Sequence, residues 1–89
     1  MKTRVVHCKR HHYDVYIGRP SIWGNPFTVG ISGTRPEVLE KYEQHARTNA
    51  QIQEHLMELD GKVLGCWCRP ESCHGDILVK LIEERKFLT

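Results

Sequence analysis

The sequence has no run of apolar residues long enough to cross a bilayer, and residues 1–7 lack the apolar centre of a secretory signal. It also lacks an excess of charge of one sign, because 13 Lys and Arg against 11 Asp and Glu leave a formal net charge of +2. The content of 39% hydrophobic and 27% charged residues differs from that of a disordered chain. No internal repeat, low-complexity tract or linker interrupts the 89 residues. We therefore expect one globular, cytoplasmic domain over residues 1–89 that does not enter a membrane.

The chain contains four cysteine residues. In a reducing cytosol we expect these side chains to be thiols, thiolates or metal ligands rather than disulfides. A domain this small buries a modest share of its surface, so a bound metal would be a useful source of stability.

Positive charge is locally concentrated near the N-terminus. The net charge is too low to predict nucleic-acid binding by itself, and a solvated basic face is the favoured interpretation over contact with a phosphate backbone. The basic residues of this segment are Lys2, Arg4, Lys9, Arg10, His11 and His12.

Three segments have the composition of β-strands. Residues 4–9 and 14–18 are rich in β-branched and aromatic residues, and residues 10–13 between them fit a hairpin loop. Residues 62–68 fit a mostly buried strand. Residues 19–33 are dense in Pro, Gly, Ser and Asn and are predicted to form a loop.

Three helices are expected between and after these strands. Thr34 and Glu37 have the spacing of a capping box and predict a helix start. A second helix is expected from about Asn49 to residue 59, either separate or as the continuation of the first helix after a kink. Ser72 or Cys73 caps the last helix. The order of elements predicts an α/β fold: a single small domain with a short mixed sheet of about three strands, packed with two or three helices.

Most of the reactive side chains lie in residues 66–76. Cys66, Cys68, Cys73 and His74 supply three sulfurs and an imidazole, a set that fits a tetrahedral zinc site, although their spacing is tighter than in zinc fingers. On the predicted strand over residues 62–68, Cys66 and Cys68 project to one side and Trp67 to the other, into packing.

Two other interpretations of this segment stay open. Cys73 at a helix N-terminus would have a lowered pKa and act as a nucleophile, with His74 or Asp76 accepting the proton and Arg69 holding an anionic substrate. Alternatively, the cysteines are small buried apolar side chains, and Asp76 simply favours the helix start.

The loop after the second strand carries groups suited to ligand recognition. Arg19 can hold a phosphate or carboxylate, Trp23 can stack on a planar ring, and Asn25 can recognise donors and acceptors. In a purely structural loop, Trp23 would instead fill the core and Asn25 would tie a turn.

Two long motifs in this sequence are familiar. Residues 16–27 read Tyr-Ile-Gly-Arg-Pro-Ser-x-Trp-Gly-Asn-Pro-Phe, and residues 61–78 contain Gly-Lys-Val-Leu-Gly-Cys-Trp-Cys-x-Pro-x-x-Cys-His-Gly-Asp-x-Leu, with Arg35 and Tyr42 between them. With this pattern the chain resembles the bacterial and bacteriophage family called domain of unknown function 4326, over a core of about residues 15–82.

The resemblance implies that the two motifs form one functional unit and face each other across the domain. If the chain is phage-encoded, its cytoplasm is that of the host. The motif positions carried over are Gly18, Arg19, Pro20, Trp23, Gly24, Asn25, Pro26, Cys66, Cys68, Pro70, Cys73, His74, Gly75 and Asp76.

These observations predict a small domain that binds an anionic, nucleotide-like ligand. The expected ligand-binding residues are Arg19, Trp23, Gly24, Asn25 and Arg69, beside a zinc ion that organises the site or activates water. One alternative is a cysteine- or metal-dependent hydrolase or transferase acting on a nucleotide-type substrate. A second alternative is a phage-type module that binds nucleic acid or protein.

Overall fold

A computed structural model of the protein describes residues 2–68 and 71–88. Its elements are β1 (Arg4–His7), β2 (Val15–Tyr16), α1 (Arg35–Thr48), α2 (Ala50–His55), a 3-10 helix (Leu56–Leu59), β3 (Val63–Cys66) and α3 (His74–Leu88). The predicted α/β class, with about three strands and two or three helices, is confirmed. The sheet was predicted to be mixed, and this detail is wrong, because both strand pairings among the described residues are parallel. No helix among the described residues is long and apolar enough to span a membrane.

The sheet has the order β1-β3-β2, and β3 pairs in parallel with both neighbours. The hairpin predicted for residues 10–13 is wrong, because β1 and β2 are the two outer strands and do not pair with each other. The backbone N–H groups of Arg10 and His11 instead donate to the carbonyl of His7, which closes a turn directly after β1. The chain then returns to the opposite edge, where Asp14 Oδ2 accepts from Val63 N at 2.8 Å. All three strands therefore end at the same edge of the sheet.

The helix boundaries follow local capping signals. The Thr34 side chain accepts from the N–H of Glu37, and the Glu37 carboxylate accepts from the N–H of Thr34 at 2.9 Å, so the predicted capping box is confirmed. Asn49 is extended, ends α1, and caps α2 through its side chain, which accepts from Ile52 N at 3.0 Å. The two helices are thus separate.

The core lies between the sheet and the helices and includes Tyr42, Leu64, Leu78 and Ile82, all fully buried. Helix α3 approaches the sheet closely at Gly75. A Cβ on Gly75 would lie 2.9 Å from side-chain carbons of Ile17 and Val5, closer than real Cβ contacts. A glycine is therefore needed for α3 to begin directly over the sheet.

Candidate functional site

The carboxyl edge of the sheet opens into a cavity of about 410 Å³. Ligands of open α/β sheets commonly bind at this edge. Four segments form its wall: the end of β2 with the loop that follows, the start of α1, the end of β3, and the start of α3. The lining residues are Tyr16, Gly18, Arg19, Asn25, Phe27, Thr28, Val29, Arg35, Val38, Leu39, Trp67, Cys68, Ser72, Cys73 and His74. The cavity thus brings together side chains from both sequence motifs.

Arg19 is exposed at the cavity wall and holds the loop that follows β2. Its Nε donates to the carbonyl of Asn25 at 2.7 Å, and Nη2 donates to the carbonyl of Phe27 and the hydroxyl of Thr28, both at 3.2 Å. These bonds fix the guanidinium in place, and Nη1 makes no hydrogen bond to the described residues. Arg19 therefore combines a structural role with a positive charge facing the cavity.

Asn25 and Gly24 shape this loop. Asn25 Oδ1 accepts from Phe27 N at 2.9 Å, the turn-forming bond of the structural interpretation, while the residue also lines the cavity. Gly24 lies against Arg19, where a Cβ would come within 3.1 Å of the Arg19 backbone. Gly24 is outside the lining, so the structure gives it a packing role instead of the predicted ligand contact.

Trp23 does not lie where a stacking side chain would have to be. It is only 6% exposed and belongs to the core, and its carbonyl accepts a hydrogen bond from the buried Tyr42 hydroxyl at 2.7 Å. The prediction that Trp23 stacks on a ligand is wrong, because its side chain is part of the buried core and does not line the cavity.

Trp67 supplies the aromatic surface that was expected from Trp23. The prediction that Trp67 packs inward is wrong, since its side chain lines the cavity and the residue is 55% exposed. Its Nε1 donates to Tyr16 Oη at 2.7 Å, and Tyr16 in turn donates to the Arg19 carbonyl at 3.2 Å. The error came from the strand end: β3 stops at Cys66, so strand alternation no longer decides where Trp67 points.

Cys66 and Cys73 form a buried pair. Their sulfurs lie 3.1 Å apart, and the two residues are 0% and 1% exposed. The contact with Cys66, together with burial, raises the pKa of the Cys73 thiol, although a backbone hydrogen bond at the start of α3 acts the other way. The predicted lowering of the Cys73 pKa is therefore wrong, because the helix N-terminus is outweighed by the neighbouring sulfur and by desolvation.

His74 forms a hydrogen bond to the backbone at the start of the loop. Its Nε2 lies 2.7 Å from the carbonyl of Ile17, and because a carbonyl can only accept, Nε2 carries the proton. Its ring also meets that of Tyr42 edge-on at 5.1 Å. Burial, the largest cause, lowers the pKa of His74, so the imidazole is neutral near pH 7. Nδ1 is the nitrogen left to accept a proton or bind a metal.

The four proposed zinc ligands are only partly gathered. Cys66 and Cys73 touch, Cys68 is half-buried on the cavity wall, and His74 uses one ring nitrogen elsewhere. Within residues 2–68 and 71–88, no group of three or more His, Cys, Asp or Glu side chains is arranged to hold a metal ion. Among the described residues, the adjacent sulfurs of Cys66 and Cys73 are the candidate ligands for a soft metal.

Asp76 and Arg69 were also predicted to act in the site. Asp76 Oδ2 accepts from the backbone N–H of Cys73 at 3.2 Å, so it stabilises the start of α3, as the structural alternative expected. Arg69 lies outside the described residues.

Arg35 is a cavity residue to which sequence reasoning gave no role. It is the first residue of α1, and its Nη1 donates to the carbonyl of Ser72 at 3.0 Å. This bond joins the start of α1 to the turn before α3 and places a second guanidinium on the cavity wall. Its place in the motif pattern was the available signal, but its position next to the cysteine segment depends on the fold.

A family model covers nearly the whole chain. Residues 2–84 match the family described as domain of unknown function (DUF4326). The chain belongs to this family. The match begins before the core of residues 15–82 that the two motifs predicted.

Two relatives of this DUF4326 protein are viral. An uncharacterised 12.4 kDa protein from the nrdA-td intergenic region of enterobacteria phage T4 is 32% identical over 83 residues, which cover 89% of this chain and 76% of the relative. An uncharacterised protein of Acanthamoeba polyphaga mimivirus is 36% identical over 97 residues, covering 85% of this chain and 74% of the relative. No solved structure gives a significant match.

The fold explains why the two DUF4326 motifs occur together in this chain. They are separated by more than 30 residues, yet both pass the carboxyl edge of the sheet and supply parts of one cavity wall. Of the fourteen positions that the resemblance carried over, those that line the cavity are Gly18, Arg19, Asn25, Cys68, Cys73 and His74.

Proposed function

We propose that this domain binds a small anionic, nucleotide-like ligand in the cavity at the carboxyl edge of its sheet. The observation that carries the proposal is the combination, on one cavity wall, of the guanidinium groups of Arg19 and Arg35 with the indole of Trp67. Arginine binds phosphate through paired donors, and an indole stacks on a planar base.

Size and position support this ligand class. A cavity of about 410 Å³ lies within the range of roughly 300–1,000 Å³ typical of small-molecule sites. It opens at the start of α3, a helix of 15 residues whose first N–H groups and dipole favour negative charge. Tyr16 and Phe27 add apolar surface to the wall near Trp67.

Calorimetric titration with adenosine 5′-monophosphate, guanosine 5′-monophosphate and inorganic phosphate tests the proposal. We expect a nucleotide to bind more tightly than phosphate alone, because the base adds stacking on Trp67. Arg35→Gln should weaken nucleotide binding by about ten- to a hundredfold, the equivalent of a lost hydrogen bond to a charged group.

Arg4→Gln is the matched control, because Arg4 begins β1 at the opposite edge of the sheet. Both variants lose one positive charge, so a general charge effect would weaken binding equally in the two. Equal weakening, or no heat from any of the three ligands at millimolar concentration, contradicts the proposal. Unfolding curves of both variants check that the fold is intact.

We further propose zinc on the sulfur pair of Cys66 and Cys73, with Cys68 and His74 as the other candidate ligands. The chemistry of two adjacent buried thiols supports a soft metal, and the commitment of His74 Nε2 to a carbonyl leaves its Nδ1 for this role. Elemental analysis of protein purified without added metal should give close to one zinc per chain. Cys66→Ser should lose it and Cys8→Ser should keep it; a metal-free wild-type protein contradicts the proposal.

The enzyme alternative has less support from the described residues. Cys73 is buried with a raised pKa, which disfavours a thiolate nucleophile, and Asp76 is engaged at the helix start. A ligand-binding domain, acting in the cytoplasm of a host cell as the viral relatives suggest, is the function that the cavity favours.

A further inference from the structure

The basic N-terminal segment lies beside the cavity. The turn after β1, residues 8–11, is at the carboxyl edge of the sheet, and Lys9 Nζ lies 5.4 Å from the centre of the Trp67 ring. The His7 ring meets Trp67 edge-on at 5.9 Å. His7 and Lys9 are not part of the cavity lining, whereas Trp67 is. Trp67 therefore stands between the cavity and the basic turn.

The charge of this turn is not neutralised within the described chain. Lys9, Arg10, His11 and His12 are exposed, and neither Lys9 nor Arg10 forms an ion pair with any described residue. Asp14, the nearest acidic residue along the chain, is bonded to Val63 N at the opposite edge of the sheet. Lys9 and Arg10, two cations unpaired among the described residues, lie in a turn that reaches an exposed indole, and this is the kind of surface that binds the backbone and bases of single strands.

We propose that the ligand of this domain is single-stranded nucleic acid. One base stacks on the part of the Trp67 ring that lines the cavity, and the adjoining phosphodiesters run over the turn after β1, residues 8–11. Arg19 and Arg35 hold the phosphate of the nucleotide whose base occupies the cavity. This inference rests on the proposed function and extends it: a mononucleotide would fill the cavity alone and would leave the basic turn unused.

Trp67 is well suited to be a fixed stacking platform. Its Nε1 bond to Tyr16, and the Tyr16 bond to the Arg19 carbonyl, hold the ring before any ligand arrives. Fixed aromatic side chains bind bases with little loss of conformational freedom, and stacking tolerates all base types. We therefore expect modest sequence preference and strong dependence on salt concentration.

Fluorescence anisotropy with six-nucleotide single strands, labelled at either end, tests the proposal on the full chain. DNA and RNA versions are compared with each other and with adenosine 5′-monophosphate as competitor. We expect at least tenfold tighter binding of the hexanucleotide than of the mononucleotide. In Lys9→Gln/Arg10→Gln most of this gain should disappear, because affinity for the hexanucleotide falls much more than affinity for the mononucleotide. The slope of log K against log salt for the hexanucleotide should become shallower by about 0.7 for each lost phosphate contact.

The control is Arg4→Gln/Lys62→Gln, which removes the same charge at the other edge of the sheet, where β1 and β3 begin. Hexanucleotide affinity equal to that of the mononucleotide overturns the strand proposal and leaves the proposed function standing. An equal loss of hexanucleotide affinity in the two double variants also overturns the strand proposal and leaves the proposed function standing. Hexanucleotide binding without mononucleotide binding supports the strand proposal and overturns the small-ligand function. If neither ligand binds, both the proposed function and the strand proposal are overturned. If Trp67→Ala leaves hexanucleotide binding unchanged, Trp67 is not the stacking platform and the strand proposal is overturned.

Discussion

The hydroxyl of Tyr42 is the group whose removal best tests how the core supports the cavity. Tyr42 is fully buried, and its hydroxyl donates to the carbonyl of Trp23 at 2.7 Å. Burial raises the pKa of Tyr42, so the phenol remains a neutral donor across the stable pH range. Tyr42→Phe keeps the ring but deletes this bond and leaves the Trp23 carbonyl buried without that partner. A buried group left unsatisfied costs about 1–3 kcal/mol.

We expect Tyr42→Phe to lower the free energy of unfolding by about 2 kcal/mol, which corresponds to a melting temperature lower by roughly 8–16 °C in a domain of this size. Urea unfolding followed by circular dichroism measures the effect. Tyr13→Phe is the matched control, since Tyr13 is 40% exposed and should change stability by less than about 0.5 kcal/mol. If the two variants are equally stable, the bond from Tyr42 does not hold the loop and the reasoning is refuted.

Two further predictions concern the start of α3 and its pH dependence. Gly75→Ala should destabilise the protein by about 1–3 kcal/mol in urea unfolding, because the added methyl group collides with the side chains of Ile17 and Val5. This cost exceeds the gain of at most about 1 kcal/mol that alanine brings as a better helix former than glycine. Unchanged stability would contradict the close packing of α3 on the sheet. Burial lowers the pKa of His74 below its ordinary 6.5, so stability is full above that value and falls on acidification, when the unfolded chain binds the proton more readily. With a chelator present, His74→Gln should therefore make the free energy of unfolding fall less between pH 7.5 and 5.5. His55→Gln should make it fall more, because the hydrogen bond to the neighbouring Glu58 raises the pKa of His55 and favours its protonated form in the folded protein. Identical pH profiles of stability for the two variants would contradict the assignment.

Local signals in the sequence were sufficient to predict the helices. The capping box of Thr34 and Glu37 and the cap at Asn49 each act within three or four residues, so their geometry is largely independent of the rest of the chain. The sheet was harder. Nothing in residues 4–18 shows that a strand from residues 63–66 inserts between the first two, because strand pairing depends on contacts far apart in sequence.

The candidate site shows the same difference between what local sequence signals predict and what depends on contacts far apart in the sequence. The two motifs predicted which segments approach each other, but the orientations of Trp23 and Trp67 were interchanged. Both depend on where a strand or turn ends to within one residue, and boundaries are the least reliable part of sequence-based assignment. The pKa of Cys73 was misjudged for a related reason: the helix start is visible in the sequence, but the burial and the sulfur of Cys66 3.1 Å away are not.

The loop that forms the cavity wall is anchored from inside the protein. Tyr42 of α1 donates to the carbonyl of Trp23, and His74 of α3 donates to that of Ile17, so each end of residues 17–23 is tied to a different helix. The two donors also contact each other through their rings at 5.1 Å. Because the core fixes the loop before a ligand arrives, binding does not have to order it, and the cost of binding is correspondingly small. The cavity is therefore a property of the packed core as much as of the loop that lines it.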